Sequence, residues 1–201
     1  MSRYFPHAAY AEDQPLARTI LTVHVLSRGF TTGAVVGLGS SAVGVLYHRL
    51  RGAKPVPASV LFSTTSATSA SALRAAGLQR LLRSSGTASA VGLGMMGIAL
   101  AGRMHGRERI EWRDRAWRLM ESPGQLETDD WTYSGAAAGL VTFWVAEARM
   151  KGAVGGWRAA AGAAGMGSVA GTVGYLMWRY GVHAGKHHGD FAINEAALGR
   201  L

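Results

Sequence analysis

Long uncharged runs alternate along this chain with short stretches dense in charge. Four runs contain no Asp, Glu, Lys or Arg: Gly29 to Tyr47, Ser84 to Gly102, Trp131 to Ala146 and Ala159 to Trp178. At about 1.5 Å of rise per residue, a helix of nineteen or twenty residues reaches the roughly 30 Å hydrocarbon thickness of a bilayer. The third run is shorter, at sixteen residues. Periodicity therefore predicts an all-α polytopic membrane protein with about four Gly-rich transmembrane helices. An N-terminal segment (1–28) precedes the bundle (29–178), and a polar tail (179–201) follows it. Leu16, Ile20, Val23 and Leu26 or Ser27 recur at helical spacing, which allows the first helix to begin near Ala17, with His24 on an interfacial turn.

Glycine placement sharpens this expectation. Gly33 and Gly37, Gly135 and Gly139, and Gly167 and Gly171 each stand four apart, and Gly94 and Gly97 lie in the second run. Small residues at that spacing let helix backbones approach closely in lipid. In a water-exposed helix each interior glycine costs up to about 1 kcal/mol relative to alanine, so these runs read as packed spans. Gly92, Gly94 and Gly97 also spell GxGxxG, and Gly165, Gly167 and Ala170 spell GxGxxA. Neither follows a strand or sits in a βαβ unit, so helix packing is the reading and no nucleotide site is expected.

The connections differ from one another. Pro55 to Leu73 is uncharged but begins with two prolines and is rich in Ser and Thr; it reads as a loop or interfacial segment, followed by a basic stretch from Arg74 to Arg83. Residues 103–130 carry charge of both signs. Glu108, Glu111 and Asp114 lie near Arg107, Arg115 and Arg118 at helical spacing, and Trp112 and Trp117 add an apolar side. This predicts an amphipathic loop helix, stopped by Ser122, Pro123 and Gly124.

Charge gives the topology. With four spans, one face holds the termini and residues 103–130, with twelve Lys and Arg and eleven acidic residues, net +1. The other face holds residues 48–83 and 147–158, with nine Lys and Arg and one acidic residue, net +8. The density of Lys and Arg places the second face in the compartment from which insertion occurs. In a mitochondrion that is the matrix, leaving both termini in the intermembrane space. Arg49, Arg51, Lys54, Arg80, Arg83, Arg149, Lys151 and Arg158 then gather at one membrane surface. They are candidates for anionic phospholipid contacts, with cardiolipin the candidate in a mitochondrion. The net charge of +9 suits nucleic acid or an anionic membrane surface equally well; with the spans accepted, the membrane is the partner expected, and no nucleic acid.

Catalytic chemistry has no foothold in the spacing. The chain has no cysteine, which removes thiolate, disulfide and cysteine-ligated metal chemistry. His183 and His187 are one helical turn apart, with His188 and Asp190 nearby, but read better as a mobile polar tail than as a metal site. GVHAGK, Gly181 to Lys186, has its glycines too close together for a phosphate loop and no Ser or Thr after the lysine. No catalytic residue, cofactor or metal is expected.

Two resemblances bear on function. Glu111 to Trp131, EWRDRAWRLMESPGQLETDDW, followed by a Gly-rich span and GVHAGKHH, resembles fungal mitochondrial membrane proteins associated with the accessory subunits of respiratory complex I, NADH:ubiquinone oxidoreductase. The plan of four Gly-rich spans is also similar to the Tim17/Tim22/Tim23 family, one branch of which is itself a complex I subunit. The first resemblance implies a non-catalytic accessory subunit of the membrane arm in the mitochondrial inner membrane, partnered by other subunits of a large complex. The second implies a protein-import translocase component as the alternative.

Overall fold

The computed structural model describes residues 4–52, 66–149 and 156–182. Five α-helices account for most of them: α1 (Ala17–Gly52), α2 (Ser66–Met104), α3 (Arg109–Met120), α4 (Pro123–Arg149) and α5 (Trp157–Leu176). A wider π-helical turn, Met177–Val182, continues α5. No strand occurs among the described residues. α1 and α2 pair along their lengths, α5 touches α1, α2 and α4, and α4 packs chiefly on α5.

Two helices are long and apolar enough to cross a membrane: Ala17–Tyr47 within α1, 31 residues, and Ala76–Met104 within α2, 29 residues. The expected four spans are therefore two by length and composition. α4 carries Glu127, Asp129 and Asp130 in its first turns, and α5 draws its apolar content mainly from alanine and glycine, so neither matches the valine- and leucine-bearing pair.

Several boundaries also move. α1 begins at Ala17, the earlier of the two starts expected, so residues 17–28 of the N-terminal segment are helical. Residues 66–73 open α2 instead of forming a loop, while 55–65 lie outside the described residues. α3 ends at Met120, just before Ser122 as expected, and Pro123 then starts α4. The fixed φ of proline suits a first helical position, where its missing N–H leaves no hydrogen bond unmade. The predicted amphipathic helix is α3, and its apolar side meets protein: Ala116 and Met120 are buried against Ala17 and Ile20, with Phe5, Trp112, Leu119, Leu126 and Tyr133 around them.

The N-terminal arm closes over this cluster. The buried Gln14 donates through Nε2 to the carbonyls of Pro6 (2.9 Å) and Pro15 (3.1 Å), and its Oε1 accepts from the Ala8 amide (3.2 Å). Trp117 Nε1 donates to the Ala8 carbonyl (3.1 Å), and Arg113 Nη1 to that of Glu12 (2.6 Å). The arm and α3 thus form one cap over the start of α1.

Candidate functional site

Three seams join the helices backbone to backbone. Between α1 and α2, a methyl group on Gly33 would overlap the Ala88 carbonyl, one on Gly37 would meet the Ser85 backbone, and one on Gly92 would overlap the Gly29 carbonyl. Between α2 and α5, Gly86 faces the Arg158 carbonyl and Gly162 the Leu82 carbonyl. Between α4 and α5, Gly135 and Gly167 each face the other's carbonyl, Gly139 faces that of Ala163, and Gly171 that of Trp131. Contacts of Cα–H with a carbonyl across a helix pair recur in such crossings and contribute about 0.5–1 kcal/mol each.

Of the glycines singled out by spacing, Gly33, Gly37, Gly135, Gly139, Gly167 and Gly171 thus lie on seams. Gly94 and Gly97 do not. Nothing stands within 4 Å of a methyl at Gly94, and one at Gly97 would make only an ordinary contact with Leu26 at 3.5 Å. On α2 the seam residues are Gly92, Ala88 and Ser85, which stand three or four apart on one face, and Gly94 projects off that face.

The interior of the bundle is lined by hydroxyls. Ser168 Oγ donates to the Gly165 carbonyl (2.7 Å) and accepts from Thr31 Oγ1 (3.2 Å), tying α5 to α1. Thr132 and Thr172 hydroxyls lie 2.9 Å apart across α4 and α5. Ser85 and Ser89 are fully buried beside Gly165, and their hydroxyls have no hydrogen-bond partner among the described residues.

A charged clamp holds one end. Asp129, 1% exposed, accepts Arg28 Nη2 on Oδ1 and faces His24 Nδ1 through Oδ2, both at 2.8 Å, which fastens α4 to α1. Arg28 also donates to Gln125 Oε1 (3.0 Å), and Tyr133 donates to Ser27 Oγ (3.1 Å). Nearby, Arg179 Nη1 donates to the Tyr175 hydroxyl (2.8 Å), which donates to Glu127 Oε2 (3.1 Å). Burial pulls the Arg179 guanidinium down, but the Tyr175 hydrogen bond and neighbouring charge outweigh it and hold the group above its ordinary value. The clamp was not visible in the sequence, because His24 and Asp129 are separated by 105 residues.

The opposite end gathers the basic residues. Gly37 of α1 meets Ser85 of α2, and Gly86 meets Arg158 of α5, so the C-terminal turns of α1 lie level with Arg80, Arg83 and the start of α5. Arg51 stacks over Tyr47 (4.7 Å to the ring centre) and Arg158 over Trp157 (5.6 Å). Arg80, Arg83 and Arg149 are exposed. Arg49 belongs to the last turns of α1, and Lys54 and Lys151 lie outside the described residues, as do His183, His187, His188 and Asp190.

No protein-family model matches the chain, and no curated protein or solved structure matches it either.

Proposed function

We propose that this protein is a polytopic subunit of the mitochondrial inner membrane, a non-catalytic accessory component of the membrane arm of respiratory complex I. In this reading α4 and α5 cross the membrane with α1 and α2, both termini lie in the intermembrane space, and the seams and lipid contacts support assembly and stability. The observation that carries the membrane part is inverted packing. Glycine, alanine and serine line the seams between the helices, while many large apolar side chains, such as Ile98 (76% exposed) and Trp144 (63% exposed), point outward. A protein in water seldom shows so much apolar surface; in lipid that surface is the solvated one, and close packing of small residues drives association. The assignment to complex I draws on the likeness of Glu111 to Trp131 and of GVHAGKHH.

A second reading, a component of a protein-import translocase, is favoured by the four-helix Gly-rich plan. Native gel electrophoresis of solubilised mitochondrial membranes separates the two. Comigration with NADH dehydrogenase activity is expected, and comigration with the import machinery would replace the first reading with the second. Deleting the gene should lower the amount of assembled complex yet leave the redox centres of what remains spectroscopically unchanged.

A further inference from the structure

The α1–α2 crossing has an outer side as well as a seam, and that side is hollow. A groove of about 760 Å³ runs along it, floored by Gly33 and Gly92 and walled by Val36, Ala88, Val91 and Met95. The surface it presents is mostly apolar; Arg83, Ser84 and Thr87 stand toward one end, and Thr32 of α1 is the other polar residue of the lining. Arg83, Thr87, Val91 and Met95 are spaced by four and form one ridge of α2.

We infer that this groove holds one acyl chain of an anionic glycerophospholipid, with the phosphate on the Arg83 guanidinium and Arg80 one turn beyond it. The inference rests on the membrane reading above. Length supports it: Arg83 to Met95 spans about 18 Å of helix, close to the roughly 15 Å that one leaflet contributes to the hydrocarbon core. Charge supports it further. Arg83 makes no ion pair among the described residues, and it stands at the basic end of the bundle. The groove walls cannot by themselves select a ligand, because neighbouring lipid tails are as apolar as valine or methionine. Selection therefore falls to the headgroup, and a guanidinium binds phosphate by two parallel hydrogen bonds that a zwitterionic head shares with its own cation.

The test uses the full chain in nanodiscs of phosphatidylcholine and phosphatidylglycerol, each lipid doped in turn with a photoactivatable acyl chain. Adducts are then located by peptide mass spectrometry. Phosphatidylglycerol adducts should concentrate at Val91 and Met95 and exceed those of phosphatidylcholine there. Arg83→Gln should lower the phosphatidylglycerol adducts about fivefold, the effect of losing one basic residue at a membrane surface. Val91→Trp should empty the groove of both lipids while leaving adducts at the distant, exposed Val141 on α4 unchanged. Equal labelling by the two lipids, or labelling spread evenly over every outward face, overturns the proposal. So does a second copy in the groove: Val91→Cys supplies a single thiol in a cysteine-free chain, and a disulfide-linked dimer under mild oxidant would place that copy there. Adducts at Val141 with none in the groove sink the groove alone, whereas no adducts on any helix sink the membrane reading itself.

Discussion

The two ends of the bundle hold comparable numbers of basic residues and use them in opposite ways. At the end bearing the cap, Arg28 and His24 are committed to a buried Asp129, Arg179 to Tyr175 and Glu127, and Arg113 to the Glu12 carbonyl. At the other end Arg51 and Arg158 lie over their own helix's aromatic rings, and Arg80, Arg83 and Arg149 are exposed. Of the ten acidic residues among the described ones, nine belong to the first end and Glu147 alone to the second. What an end offers to its surroundings is thus decided by how its charges are paired rather than by how many it has. Among the described residues, one end is closed by protein, and at the other Arg80, Arg83 and Arg149 are exposed.

The comparison breaks most severely if the clamp is not structural. Removing the carboxylate with Asp129→Ala leaves Arg28 and the buried space around it without a counter-charge. Breaking one side of a buried pair costs about 3–5 kcal/mol. Arg149→Gln, at the open end, should change stability by less than about 0.5 kcal/mol. Unfolding in detergent micelles, followed by far-UV circular dichroism, measures both. Equal midpoints for the two variants would mean that the ends are not different in kind.

Between the ends, the seams should not care about charge. Gly162 meets the Leu82 backbone near the open end, and Gly171 meets the Trp131 backbone near the closed one. Gly162→Val and Gly171→Val should each destabilise by about 1–3 kcal/mol, since an inserted side chain forces two backbones apart. Gly94→Ala is the contrasting case. With open space beside it, the substitution should stabilise α2 by up to about 1 kcal/mol. The same unfolding assay reads all three, and a destabilising Gly94→Ala would mean that this face of α2 is covered in the assembled protein.

How far this could be read from sequence depended on the kind of signal. Uncharged length located α1, α2, α4 and α5, and alternating charge located α3, because both are local properties of the chain. Spacing by four picked out Gly135, Gly139, Gly167 and Gly171, whose helices have one dominant small-residue face. It did not settle α2, where Gly92, Gly94 and Gly97 are close together; the inward face is the one that also carries Ser85 and Ser89. It passed over Gly86 and Gly162 as well, since they face backbone carbonyls on other helices and have no glycine four residues away. Asp129 falls in the charged stretch 103–130, and nothing local marks it as buried, because its partners are 101 and 105 positions away.

The smallest effect tests whether pairing at the closed end depends on burial. Arg118 and Asp114 form an ion pair at 3.0 Å, four residues apart on α3, but the Arg118 side chain is 74% exposed. Water and salt screen such a pair, and holding two long side chains in register costs entropy, so its net contribution is about 0.3–0.5 kcal/mol. Arg118→Gln should therefore lower stability by about that amount at low salt, and the difference should vanish near 1 M salt, where the Debye length falls to about 3 Å. Asp129→Ala should keep most of its cost under the same conditions, because the carboxylate, 1% exposed, is shielded from solvent and ions. If salt erases both effects alike, Asp129 is solvated in the protein as it exists, and the closed end is held by the contacts of the α3 cap alone.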